Sequence, residues 1–338
     1  MAGFLPSLET FAKGTLATAA TLTTVGAGLL YYGQNYLIYP SAFPSGSRTD
    51  VPVPASFNLP YQDLELKTSD GITLRCYLLP QSKRLPRLHP SSTVIPGEDD
   101  MTEDELIMSR PTVIMFHGNG GNHGHRVPLA RVFLLRMRCN VLMMSYRGYG
   151  RSEGSPSEPG LQIDAQTALD YLLSDPCFSK TRIILYGQSI GGAVSIDLAS
   201  RNPSKIYALI LENTFTSLPN VVPYALPLLG PLSFLVHQKW DSASKIHMIP
   251  ASTPVLMLSG LNDELVPKEH MKDLWEAIVK RGEGATGDGK GERAKFVEFP
   301  LGMHNDTCVQ PGYWTAVADF VAGLAAEVDE EKPPQTRL

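Results

Sequence analysis

The sequence predicts an α/β protein: a mostly parallel sheet of about eight strands, flanked by helices on both faces. Three observations predict it. Short apolar runs at 112–116, 140–145, 182–186, 207–212, 253–259 and 295–300 recur between stretches of helical period, the alternation that builds a parallel sheet covered on both sides. The chain is 43% hydrophobic and 19% charged over 338 residues, enough apolar material for one large core. Finally, Gly187-Gln188-Ser189-Ile190-Gly191 joins an apolar strand to a helix of small and apolar residues.

That last pattern fits a tight strand-to-helix turn with a serine at its tip. The neighbours of such a serine must be nearly free of side chain, a need that Gly187 and Gly191 meet. Gly192 lets the helix approach the sheet. The turn lifts the Ser189 hydroxyl above the sheet edge, and the helix N-terminus favours negative charge developing beside it.

The amino-terminal segment, 1–40, reads as a membrane anchor. Gly14 to Tyr32 carries no charge, Lys13 precedes it and the next charge is Arg48, a length suited to a single membrane-spanning helix. Two readings compete: a cleaved or targeting peptide, for which Ala17-Thr18-Ala19 is a formal cleavage site, and a soluble helix. Tyr31, Tyr32, Tyr36 and Tyr39 suit an interfacial belt or packing against the globular domain. Residues 41–60, with several prolines and serines, read as a linker.

The globular domain is expected over 61–326. Alternation at 64–68 and 72–79 around Ser69-Asp70-Gly71 predicts a β-hairpin. Residues 81–110, polar and acidic at 98–105, read as a solvated surface insertion. The 112–116 strand runs into His117-Gly118-Asn119-Gly120-Gly121-Asn122. Acyl transfer develops an oxyanion, and two backbone N–H groups must already point at it. The elbow supplies Ile190, and the glycine-rich loop supplies Asn119. His117, His123 and His125 lie close together but lack a metal-binding helix motif or a clear acidic third ligand, so His117 is assigned to bracing the loop and no metal is expected. Helices are predicted at 124–138, 161–173 and 268–281. Arg147, in the loop after the 140–145 strand, is expected to hold its turn by bonding backbone or a carboxylate.

Residues 216–250 break the strand–helix rhythm with a proline-dense apolar stretch, read as a short cap over Ser189 or as core packing. A serine nucleophile needs a base, and the base needs a carboxylate to fix its tautomer. Asp263 follows the 253–259 strand and His304 follows the 295–300 strand. The order Ser189, Asp263, His304 is the one used on strand-to-helix elbows of this kind. Glu212 is a rival orienter, Glu264 is expected to point elsewhere, and His270 is expected at the surface. The Asn305-Asp306-Thr307 sequon abuts the base and is expected unmodified. Residues 282–293 read as a flexible loop and 327–338 as a disordered tail.

Composition narrows the function. A net charge of −5 with scattered Lys and Arg offers no basic stripe for nucleic acid. Cys76, Cys139, Cys177 and Cys308 are far apart and read as free thiols, with room for one disulfide.

The motifs at 117–121, 146–152, 187–192 and 212–217 together resemble the α/β-hydrolases, and in particular their bud-emergence (BEM-type) branch, over about residues 60–325. The resemblance implies the α/β-hydrolase fold, a Ser189–His304–Asp263 triad, and a place on an endoplasmic-reticulum or cell-periphery membrane with a part in polarised growth. Some membrane-associated proteins close to this branch remove palmitoyl groups from proteins, using an amino-terminal cysteine cluster for lipidation. No cysteine precedes Cys76 here, so the apolar segment would have to do the anchoring. The expectation is a membrane-anchored serine hydrolase of ester or thioester bonds in acyl or lipid-like substrates, acylated proteins among them, without cofactor. The alternative is a membrane-tethered scaffold in cell polarity whose triad has little catalytic use.

Overall fold

The structure, a computed structural model, describes residues 7–86, 97–281 and 293–331, with residues 325–331 described as backbone. Eight strands form one sheet: β1 (Gln62–Lys67), β2 (Thr73–Leu79), β3 (Thr112–Phe116), β4 (Asn140–Met144), β5 (Ile183–Gln188), β6 (Ile206–Glu212), β7 (Val255–Gly260) and β8 (Ala294–Phe299). Their order is β1-β2-β4-β3-β5-β6-β7-β8. β1 and β2 are antiparallel, β2 runs antiparallel to β4, and every later pairing is parallel. The central strands are buried along their whole length.

Their side chains divide by the two-residue period of a strand. Ile114, Phe116, Leu142, Met144 and Leu185 enter one core, and Val113, Met115, Val141, Met143 and Ile184 enter the other. Helices α3 (Val127–Leu135), α4 (Glu158–Ser174), α5 (Ile190–Arg201), α8 (Lys268–Lys280) and α9 (Tyr313–Glu331) contribute the facing apolar residues. α9 continues five residues into the stretch read as tail; residues 332–338 and 282–292 lie outside the described residues.

The acidic insertion departs from its reading. It carries α2 (Glu103–Met108), capped by Thr102. Glu98 is not solvated: it is buried and paired with Arg110 and, at 2.6 Å, with Arg138. A buried carboxylate requires such partners, and one of the two arginines that supply them, Arg138, lies well outside the insertion. Arg147 does join carboxylates: it bridges Asp70 (2.7 and 3.0 Å) and Asp164 (2.8 Å), tying the hairpin turn to α4. Those bonds hold the Asp70 carboxyl down at about 2.

The amino-terminal segment forms a 31-residue helix, α1 (Leu8–Ile38), but the spanning reading does not stand. No helix among the described residues is both long and apolar enough to cross a membrane. Length is sufficient, about 46 Å at 1.5 Å per residue. The charge-free run is instead diluted by Thr15, Thr18, Thr21, Thr23 and Thr24 and by glycines, and Gln34 and Asn35 follow. The last turns of α1 dock on the globular domain: Tyr39 is buried, its hydroxyl donating to Gln238 (3.0 Å) and accepting from Trp240 Nε1 (2.9 Å). Tyr32 and Tyr36 stay exposed. The stretch read as a cap contains α6 (Leu218–Ala225) and a 3-10 segment, Pro227–Leu235, before α7 (Ser242–Ile246).

Candidate active site

The site stands at the carboxyl ends of β3, β5, β6 and β7. Ser189 links β5 to α5 with φ +56° and ψ −121°, a left-handed conformation that costs a non-glycine residue on the order of 1–3 kcal/mol. The glycines around it have no room for anything else. A Cβ on Gly191 would run into the Phe116 carbonyl, one on Gly187 into the Gly191 carbonyl, and one on Gly192 into Thr214. Tight packing thus holds the serine in its strained turn. Ser189 is 7% exposed.

His304, beyond β8, places Nε2 3.0 Å from Ser189 Oγ and Nδ1 2.7 Å from Asp263 Oδ2. Asp263 is held in turn: its other oxygen accepts from the backbone amides of Leu265 (2.9 Å) and Val266 (2.8 Å). The three side chains, separated by 74 and 41 residues along the chain, therefore form one hydrogen-bonded line. With Asp263 accepting at Nδ1, that nitrogen carries the proton and Nε2 presents its lone pair to the serine hydroxyl.

Asn119 and Ile190 lie on separate elements. Ile190 opens α5 immediately after the elbow. Asn119 lies in the loop after β3, its carbonyl and side-chain oxygens accepting from Tyr149 Oη (3.2 and 2.7 Å). Its side-chain amide donates to the Ile38 carbonyl at the end of α1. His117 braces the same loop: Nδ1 donates to the Gly118 carbonyl (2.7 Å), and its own carbonyl accepts from Tyr146 Oη (2.9 Å). Burial pushes the His117 imidazole down to about 3, so it is neutral. No group of three His, Cys, Asp or Glu that could hold a metal occurs among the described residues. All four cysteines are free thiols.

Three acidic or basic neighbours sit differently from their readings. Glu212 does not reach His304; it is fully buried and accepts from Tyr186 and Tyr313 hydroxyls, each at 2.6 Å, with burial raising its pKa. Glu264 turns toward the site rather than away, accepting from the His304 backbone amide at 3.1 Å. His270 is buried, with Nδ1 2.8 Å from Thr216 Oγ1, because α8 packs its inner face against the loop after β6. Two braces escaped the sequence. Gln188 and Asn213 both donate to the His304 carbonyl, at 3.2 Å each, and Asn213 also accepts from the Gly260 amide (2.8 Å). Their neighbours in the motifs drew attention, but nothing local marks an amide as the clamp of a loop over 90 residues away.

Strand order, elbow and Ser–His–Asp line define the chain as an α/β-hydrolase-fold protein. Residues 111–230 match the α/β-hydrolase fold family. The chain belongs to that family, in the branch of protein bem46 from Schizosaccharomyces pombe, with which it is 45% identical over 324 residues, 95% of this chain and 97% of the relative. It is also 37% identical to the uncharacterized membrane protein YNL320W of Saccharomyces cerevisiae, over 91% of this chain and 96% of that one. Among solved structures it is similar to the Pyrococcus furiosus esterase Pf2001, at 17% identity with a TM-score of 0.60, covering 82% of this chain and 98% of that chain. At that identity the likeness concerns the fold alone.

Proposed function

We propose that the protein is a serine hydrolase that cleaves ester or thioester bonds of acyl-type substrates. The observation that carries this reading is the line Ser189 Oγ–His304 Nε2–His304 Nδ1–Asp263 Oδ2, at 3.0 and 2.7 Å, on a strained elbow. In this reading Ser189 attacks the substrate carbonyl as His304 takes the hydroxyl proton. The tetrahedral oxyanion is received by the backbone N–H groups of Ile190 and Asn119. His304 returns the proton to the departing alcohol or thiol, leaving an acyl-serine, and then activates water to release the acid. Asp263 keeps His304 in the required tautomer and stabilises its charged form. An apolar substrate suits the leucine-rich 218–236 stretch that follows Thr214, whose hydroxyl donates to the Ser189 carbonyl.

We also propose that the protein works at a lipid surface without spanning it. Leu16, Leu22, Leu29 and Tyr32 of α1 are exposed, and a relative is named as a membrane protein. Such a helix lies in the interface.

The test is labelling with a fluorophosphonate, beside Ser189→Ala. Labelling that disappears in the variant supports the reading. Equal labelling of both proteins overturns the elbow assignment, and a wild type that never labels overturns the enzyme.

A further inference from the structure

Eight buried side-chain polar atoms have no hydrogen-bond partner among the described residues. Four of them, His117 Nε2, His123 Nε2, Arg126 Nε and Gln188 Oε1, belong to residues that line one cavity between the ends of β3 and β5. The Tyr186 hydroxyl, also of a lining residue, is spent on Glu212 at 2.6 Å. The rest of the wall is apolar. The cavity offers about 10 Å³ of room for the centre of a small molecule, the space of a single water. The polar groups are neighbours: a Cβ on Gly118 would stand 3.4 Å from Gln188 Oε1 and 3.7 Å from Arg126 Nη2. A buried polar group without a partner is destabilising, so four of them around one cavity point to an occupant that pairs with them.

The bonds around the cavity fix what each atom offers. Burial holds both imidazoles down at about 3, so each ring is neutral, with one donor and one acceptor. A carbonyl only accepts, so His117 Nδ1, 2.7 Å from the Gly118 carbonyl, carries the proton and Nε2 keeps its lone pair. Ser145 Oγ accepts from the His123 backbone amide (3.1 Å), and its other partner among the described residues is His123 Nδ1 at 2.6 Å. The hydroxyl proton therefore goes to Nδ1, and His123 Nε2 carries N–H. Arg126 Nε is a permanent donor. Gln188 Nε2 donates to the His304 carbonyl at 3.2 Å, which leaves Oε1 as an acceptor. The set is thus two donors and two acceptors. The acceptors repel an anion, the guanidinium repels a cation, and an apolar molecule would leave all four atoms unpaired. From this set we infer that the cavity binds one ordered water, which accepts from His123 Nε2 and Arg126 Nε and donates to His117 Nε2 and Gln188 Oε1. The water joins the loop that carries Asn119 to the residue before Ser189, and through the Gln188 amide to the His304 carbonyl. His123 and Arg126, on the 3-10 turn His123–Arg126 that follows the loop, are positioning residues that act through it.

The water is tested by a high-resolution crystal structure of the full chain, from crystals grown in sodium bromide. One solvent peak without bromine anomalous signal is expected, within hydrogen-bond distance of His117 Nε2, His123 Nε2 and Gln188 Oε1. A bromide peak, no peak, or a peak that misses these atoms overturns it. Two substitutions then separate the hold of His123 on the water from its hold on Ser145. His123→Gln keeps a donor near the Nε2 position and withdraws the acceptor from the Ser145 hydroxyl. His123→Asn keeps an acceptor near the Nδ1 position and withdraws the donor from the cavity. On an activated acetyl ester, His123→Asn should lower kcat about tenfold with KM nearly unchanged, whereas His123→Gln should stay within about twofold of the wild type. Equal kcat in the two variants, or the better kcat with asparagine, overturns the positioning role, because a bond that serves only to hold Ser145 would favour asparagine. The rates rest on the hydrolase reading and the solvent peak does not. A wild type that never labels with fluorophosphonate therefore sinks that reading and leaves the crystal structure to decide the water.

Discussion

The elbow and the joint between α1 and the 218–236 stretch are held by different physics. At the elbow, Gly187 and Gly191 are pressed against backbone and Gly192 against the Thr214 side chain, with no room for a Cβ at any of them. Between α1 and the 218–236 stretch, leucines face leucines across open space, and the joint is held by Gln34 and Tyr39 through side-chain hydrogen bonds. The first arrangement fixes a reacting atom to within fractions of an ångström, as a strained nucleophile demands. The second is a looser joint, held by a few side-chain hydrogen bonds.

Changes on the rigid side should therefore have the largest effects. His304→Ala removes the base and should lower turnover by about 10⁴-fold or more, measured as kcat with an activated ester. Asp263→Asn keeps the shape but presents a donor where Nδ1–H needs an acceptor. It should cost on the order of 10⁴-fold in kcat and recover in part as pH rises and hydroxide replaces the general base. Gly191→Ala tests the backbone contact itself. Its new methyl would meet the Phe116 carbonyl, which cannot step aside without moving β3, so thermal unfolding should show a loss of about 3 kcal/mol. An alanine tolerated there would mean that the elbow is looser than its packing shows.

The two regions also differ in how much of them could be read from the chain. The elbow, Asp263 and His304 were legible because a glycine pattern and strand ends specify them locally, and the structure brings the three side chains into one hydrogen-bonded line. The central strands were legible because a buried parallel strand is continuously apolar. What failed depends on partners distant in sequence. Glu98 looked solvated because Arg138 is 40 residues away. Glu264 looked idle because the amide that it accepts from belongs to His304. The docking of α1 was not legible because its partners, Leu235 to Trp240, lie about 200 residues further on.

Asn119 stands between the two regions and gives an intermediate test. Asn119→Ala keeps the backbone N–H proposed to receive the oxyanion but releases the tie to Ile38 and one bond from Tyr149. If α1 helps to set the loop, kcat should fall about tenfold with little change in unfolding temperature. A variant with unaltered kcat would uncouple α1 from the reacting centre.

The smallest effect is expected from Gln34→Ala, the joint on the slack side. Alanine leaves the Leu235 carbonyl and the His237 amide without their partner, but both lie near the surface, where water can replace it. The cost to global stability should be about 1 kcal/mol or less, and kcat on an acetyl ester should hardly move. Protection of the amides of 31–39 and 235–240 against hydrogen exchange should fall all the same, because local opening of α1 from the cap no longer has to break that clamp. Local loosening with an intact core is what separates the two kinds of packing. If Gln34→Ala instead unfolds the whole domain, α1 is part of the core and its joint with the 218–236 stretch is no looser than the elbow.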